Sequence, residues 1–159
     1  MKKVLVAIDG SKSSQRAIEF TGQFFSNSND ISITLFHVLP ELPTGLWEEG
    51  HILTGDEKTD KKDFCDNWLT NQKLKIEPHF KSAIHYITKS GIDPQKIITK
   101  SIPESSGVAN AILDEAKNGN YHVIILGRRG LSNLSRFLMG SVTSKVIHHG
   151  TGLAICIVE

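Results

Sequence analysis

Short runs buried on both faces alternate along the chain with segments of helical spacing. Val4 to Ile8 is continuously apolar, the pattern of a strand covered on both faces in a parallel sheet. Asp9-Gly10-Ser11 interrupts it, and Ala17, Ile18, Thr21, Phe24 and Phe25 then recur at helical spacing. Ile31 to Val38 reads as a second strand ended by Pro40, and Ile97 to Ile102 as a weaker one between Pro94 and Pro103. His122 to Leu126 and Leu153 to Val158 complete the set. Between these last three strands, Val108, Ala109, Ile112, Leu113 and Ala116 predict one helix, and Val142, Val146 and Ile147 another. Asn118-Gly119-Asn120 stops the first of them, with Gly119 expected in the left-handed cap.

The middle is less regular. Residues 40–60 are rich in Pro, Gly and acids and read as a long loop, a length uncommon unless functional or mobile. Residues 61–90 look helical, but Pro78 predicts a kink or break there and a place in the first turn of the second piece. The order β-α-β-loop-α-β-α-β-α-β predicts a doubly wound α/β sheet with right-handed connections and helices on both faces. Such sheets bind ligands beyond the carboxyl ends of their strands, where the strand order reverses.

Composition narrows the classes. At 159 residues the chain is expected to be one domain, residues 1–159, large enough to hold a core without disulfides or metal. Its 39% hydrophobic and 22% charged residues argue against disorder. A net charge of +1 excludes a general nucleic-acid binder. The sum hides an asymmetry. Residues 116–158 hold Lys117, Arg128, Arg129, Arg136 and Lys145 and no acid, so an anion belongs near that third. Cys65 and Cys156 do not make a disulfide framework or a Cys-based zinc site. The apolar run after Lys2 and Lys3 is too short for a signal-peptide core or a membrane span. The expectation is a cytoplasmic protein without membrane contact.

Three strand ends then carry the candidate chemistry: Asp9-Gly10-Ser11, His37-Val38-Leu39 and Gly127-Arg128-Arg129-Gly130. Gly140-Ser141-Val142-Thr143 opens the last helix. Glycines allow close backbone approach, a helix N-terminus offers N–H donors and a positive dipole end, and Ser141 and Thr143 add hydroxyls. Together these describe a polyphosphate cradle. The plainer reading is that the glycines turn the chain, Gly140 and Ser141 cap a helix, and the arginines are solvated; residue types alone leave both open. Neither a Walker loop nor a Rossmann fingerprint is present.

The spacing Gly-x2-Gly-x9-Gly-Ser, read as Gly127, Gly130, Gly140 and Ser141, resembles the ATP-binding branch of the universal stress protein (UspA) family. The opening Val6 to Ser11, His37 to Pro40, Gly127 to Ser132, Phe137 to Val142 and His148-His149 are similar to it too; residues 40–80 are not covered. The resemblance implies a strand order of 3-2-1-4-5 and an adenine nucleotide, ATP or AMP, across the first and fourth strand ends. It implies Ala7, Asp9 and Val38 against the adenosine and Gly127, Arg128 and Gly130 by the ribose and α-phosphate. Gly140, Ser141, Val142 and Thr143 would lie by the outer phosphates, usually with Mg2+. It further implies a homodimer through Leu153 to Val158, an apolar terminal run suited to a sheet edge, and a regulatory, stress-response role with slow or no hydrolysis. Two alternatives stand beside it: an enzyme cleaving ATP between its α- and β-phosphates, and a ligand-free dimeric adaptor, which would tolerate side chains at Gly127, Gly130 and Gly140.

The histidines read mostly as structural. His148 and His149 are adjacent and diverge on a helix; His79 and His85 lack the i, i+4 spacing of a zinc helix; His37 and His122 sit at strand edges. Asp9 either faces the site or caps the first helix, a task Ser11 does equally well. Trp47 and Trp68 read as packing groups.

Overall fold

A computed structural model describes residues 1–26, 28–42, 55–131 and 139–159. Strand β1 (Lys2–Ala7) leads through helix α1 (Lys12–Phe24) to β2 (Ile31–Leu39). Helix α2 (Gly55–Lys89) and a 3-10 turn (Pro94–Lys96) precede β3 (Ile97–Pro103); α3 (Val108–Asn118), β4 (Val123–Gly127), α4 (Ser141–His149) and β5 (Ala154–Val158) follow. The strands form one parallel sheet in the order β3-β2-β1-β4-β5, as the resemblance implies. The order reverses between β1 and β4.

Two cores flank the sheet because successive strand residues face opposite sides. Val4, Val6, Ile33 and Leu35 pack with Ile18 of α1 and Ile76, Phe80 and Ile87 of α2. Leu5, Phe36, Ile124 and Leu126 pack with Ile112 and Leu113 of α3 and Val146 of α4. The weak pattern of β3 has its reason in position: it is an edge strand, and Ile98 is 54% exposed. Among the described residues no helix is long and apolar enough to cross a membrane.

Three local expectations are corrected. The loop predicted over 40–60 already gives way to α2 at Gly55, while residues 43–54, with Trp47, lie outside the described residues. Helix α2 passes through Pro78 without a break. Pro78 removes one N–H, but Ile76, Phe80, Ala83 and Ile87 are buried, so packing on both sides of the proline outweighs the lost bond. The left-handed residue after α3 is Asn120 (φ 52°), while Gly119 keeps φ −82°. Tyr121 N–H donates to the Ala116 carbonyl and Asn120 N–H to that of Lys117, a Schellman closure one residue later than predicted. Asparagine tolerates that conformation, and a side chain at position 119 would strike the Tyr121 ring.

Candidate functional site

At the carboxyl ends of β1, β2 and β4 lies a cleft of about 580 Å3, within the usual range of small-molecule sites, roughly 300–1,000 Å3. Its first edge is the β1–α1 turn. Ser11 is the N-cap of α1, its hydroxyl accepting the Ser14 N–H at 3.1 Å. Asp9 therefore does not cap the helix directly; its Oδ1 accepts the Ser11 N–H at 2.9 Å. The second oxygen, Oδ2, lies beside Gly130, only 2.6 Å from where a Cβ would stand there. That approach, together with the Ser11 hydroxyl donating to the Arg129 carbonyl at 3.4 Å, brings the first and third motifs of the sequence together.

The opposite edge joins β4 to α4. Arg128 N–H donates to the Val158 carbonyl at 2.8 Å, and Gly140 N–H to the Arg128 carbonyl at 3.0 Å. Thr143, 3% exposed, donates its hydroxyl to the Gly127 carbonyl at 3.0 Å. Gly140 is the N-cap of α4 and provides no side-chain cap bond, and the first turn carries no acid. The first N–H groups of α4 thus face the cleft with the positive end of the helix dipole behind them.

Of the ten residues predicted from sequence, Ala7, Asp9, Val38, Gly127, Gly130, Gly140, Ser141, Val142 and Thr143 line this cleft. Arg128 does not. Its guanidinium pairs with Glu159 at the end of β5, and Arg129 lines the cleft in its place. Ser132 and Phe137 to Leu138, also part of the resemblance, lie outside the described residues. Thr143 lines the cleft with its hydroxyl already committed to Gly127, so its task is to hold the loop to the helix.

Two of the motif glycines, Gly127 and Gly140, sit close against other segments of the protein itself. A Cβ at Gly127 would meet the Ser13 backbone of α1, its carbonyl oxygen at 2.6 Å; one at Gly140 would stand 3.2 Å from the Arg128 carbonyl oxygen and the Arg129 Cα. Tolerance of side chains at these positions therefore does not distinguish a ligand-free adaptor, because the close approach is between protein segments.

Sequence reasoning missed one wall. Gln72, Lys75, Ile76 and His79 of α2, at i, i+3, i+4 and i+7, all line the cleft, as do His37, Pro40 and Glu104. The helical period of residues 72–79 was available as a signal; nothing in the sequence said that this stripe faces the strand ends. The His79 ring covers Gly10, whose φ is +81°. His37 does have the structural bond expected of it: its Nδ1 donates to the Ile8 carbonyl at 2.6 Å. Burial lowers its pKa from the ordinary 6.5; the Ile8 bond and the Asp9 charge oppose this, and His79 adds to it. The imidazole is thereby kept neutral near neutral pH. His122 lies far from the cleft, its Nδ1 accepting the Lys3 N–H at 3.1 Å.

The opposite walls differ in chemistry. Toward α3 and α4 the lining is Val38, Val108, Ile112, Leu126 and Val142; toward α2 it is mostly polar. Among the described residues no group of three or more His, Cys, Asp or Glu could hold a metal ion. The arrangement suits a flat apolar group on one side and an anion at the start of α4.

The family model described as the universal stress protein family matches residues 1–152. Universal stress protein YxiE of Bacillus subtilis is 28% identical over 145 residues, covering 91% of this chain and 90% of its own. Among solved structures, UspA from Lactobacillus plantarum aligns with a TM-score of 0.73 at 16% identity, over 99% of this chain and 97% of that one. The universal stress protein from Archaeoglobus fulgidus, solved in complex with dAMP, aligns with a TM-score of 0.64 at 17% identity, over 100% and 98%. With the fold, the strand order and the glycine spacing all in place, the chain belongs to the universal stress protein family.

Proposed function

We propose that the chain binds an adenine nucleotide in this cleft, ATP with Mg2+ or AMP, and serves in the cytoplasm as a regulatory, stress-response module rather than a fast enzyme. One observation carries the reading: an apolar wall and an uncapped helix N-terminus border the same cleft at the point where the strand order reverses. In this reading the base lies against Val38, Val108, Ile112 and Leu126, the sugar passes Asp9 and Gly127 to Gly130, and the outer phosphates meet Gly140 to Val142 and the Ser141 hydroxyl. The dAMP complex of the A. fulgidus relative supports the ligand class. The donor set fits a nucleotide that brings its own magnesium, since Mg2+ is commonly held by substrate phosphates with few protein ligands.

Slow turnover follows from the same groups. Backbone donors that hold ground state and transition state alike do not accelerate a reaction, and phosphoryl transfer needs a positioned nucleophile. In this reading Asp9 and His37 stand on the sugar side of the cleft, away from the outer phosphates at the start of α4. Turnover is expected below about one per second, the lower end of ordinary enzymes.

Calorimetric titration of ATP and AMP tests the reading. Ser141→Ala removes one hydroxyl bond to a charged group, about 1.5–3 kcal/mol, or roughly 10- to 150-fold in ATP affinity. AMP, lacking the outer phosphates, is affected less, whereas Asp9→Ala weakens both ligands. Equal losses for both in Ser141→Ala would displace the phosphates from α4, and no binding of either ligand by the wild type would end the proposal.

A further inference from the structure

The polar wall that α2 adds to the cleft gives the site a sugar-reading side. Residues of strand β2 alternate: Phe36 and Val38 belong to the core under α3 and α4, so His37 between them turns toward α1 and α2. There it stands with Asp9 and with His79, Gln72 and Lys75, on the α2 stripe that also carries the buried Ile76. A carbonyl oxygen only accepts, so the 2.6 Å contact with Ile8 fixes the hydrogen on Nδ1. With the imidazole neutral, Nε2 is left as an acceptor. Among the described residues no protein group takes it, and no buried side-chain nitrogen or oxygen lacks a partner. Nε2 is therefore open to the cleft that His37 lines.

Given the adenine-nucleotide reading, on which this rests, base and phosphates occupy the α3/α4 side, and the sugar bridges them. Its hydroxyl edge turns to the remaining wall. Two acceptors meet it there: a carboxylate, Asp9, and the Nε2 of His37. A vicinal diol, with two O–H donors, matches that pair. We infer that His37 is a specificity-determining residue whose Nε2 accepts a ribose hydroxyl, so that this chain discriminates ribonucleotides from their deoxy analogues.

Titration calorimetry of ATP, 2′-deoxy-ATP, 3′-deoxy-ATP and ITP decides it, with folding of each variant checked by thermal melting. His37→Asn keeps an N–H for the Ile8 carbonyl and deletes the acceptor; His37→Gln loses that inner bond and returns an acceptor at the outer position. The wild type should bind ATP roughly 3- to 10-fold tighter than at least one deoxy analogue, the worth of one net hydrogen bond. His37→Asn should abolish that gap and leave the ATP to ITP ratio unchanged, and His37→Gln should restore it. A gap that survives in His37→Asn, a change in the ITP ratio instead, or equal loss in both variants overturns the inference. A wild type that binds ATP without any sugar preference overturns it too while leaving the nucleotide reading intact. A wild type that binds no nucleotide overturns both.

Discussion

The three glycines of the motif should respond to alanine in three different ways. At Gly127 the added Cβ would stand 2.6 Å from the Ser13 carbonyl oxygen and closer still to its carbon, where 3.4 Å begins ordinary contact, so a gap of about 1 Å must be opened. The obstacle is backbone in α1, which cannot rotate away. Overpacking of this kind costs about 1–3 kcal/mol, offset by about 0.4–1 kcal/mol from the less flexible unfolded chain. The net loss lies between about 0 and 2.6 kcal/mol, and the rigid obstacle puts it toward the upper end. For a chain of this length each kcal/mol lowers Tm by about 2–4 °C, so a drop of several degrees is expected without any ligand. At Gly130 the obstacle is the Asp9 carboxylate at 2.6 Å, a side chain that can swing away. Gly130→Ala should spare most of the stability and weaken ATP and AMP together by displacing Asp9. At Gly140 the contacts are 3.2 Å, and a shift of a few tenths of an ångström suffices, so the stability loss is the smallest of the three. Urea unfolding of the ligand-free variants, paired with calorimetry, separates these outcomes. Gly127→Ala as stable as wild type but unable to bind ATP would show that this glycine makes room for ligand and not for α1, and would refute the reasoning.

Thr143→Val removes the bond to the Gly127 carbonyl at 3.0 Å and leaves that acceptor unsatisfied in a buried place, so urea unfolding should show a loss of about 1–3 kcal/mol; an unchanged midpoint would mean the loop is held by other means. His37 makes stability depend on pH. Its folded pKa is below 6.5, so the unfolded state binds the proton more readily. Its contribution is complete above 6.5 and is lost as pH falls from 6.5 through the lowered value. An imidazole titration of His37 followed by NMR should have its midpoint below 6.5, and a midpoint at or above it would contradict the burial argument. The homodimer that the family resemblance implies would place edge strand β5 against its symmetry mate; sedimentation at tens of micromolar should show a dimer, and a monomer there would remove it.

The parallel sheet was legible because its strands advertise themselves. Val4 to Ile8 and Val123 to Leu126 are apolar throughout, and only burial on both faces makes such runs useful. Asp9, Val38 and Gly127 were legible for a related reason: each follows or ends a strand near the reversal point, where a doubly wound sheet opens, and Gly140 was legible as the opening of the last helix. What stayed hidden was contact across the chain. Nothing local to Arg128 says that its side chain turns to Glu159 while its neighbour Arg129 takes the cleft. Nothing local to Pro78 says that Ile76 and Phe80 on either side are buried deeply enough to carry the helix past a missing N–H. His79 looked idle because its partners were sought along the sequence, as metal spacing, when its neighbour is the turn at Gly10.

The same segments account for what the motif does and what it leaves open. Its glycines bring β4, α1 and α4 close enough for Thr143 and the Arg128 carbonyl to lock the loop to the helix, and that lock is what leaves the start of α4 facing the cleft. A phosphate site and a packing requirement are thus met by the same absence of side chains, so the spacing can be kept by selection on either. The α2 wall is different. Gln72, Lys75 and His79 serve no packing role comparable to that of Ile76 beside them, and they lie in the stretch for which the family resemblance offered no pattern. In the proposed reading, one wall set by the fold holds the nucleotide core and the other, made of exposed or half-buried helix positions, meets its sugar edge. His37 itself lies on β2, in the stretch His37 to Pro40 that resembles the family. The selectivity argued for it therefore comes from the strand, whereas substitutions at Gln72, Lys75 and His79 should alter which nucleotide is preferred before they alter whether the protein folds.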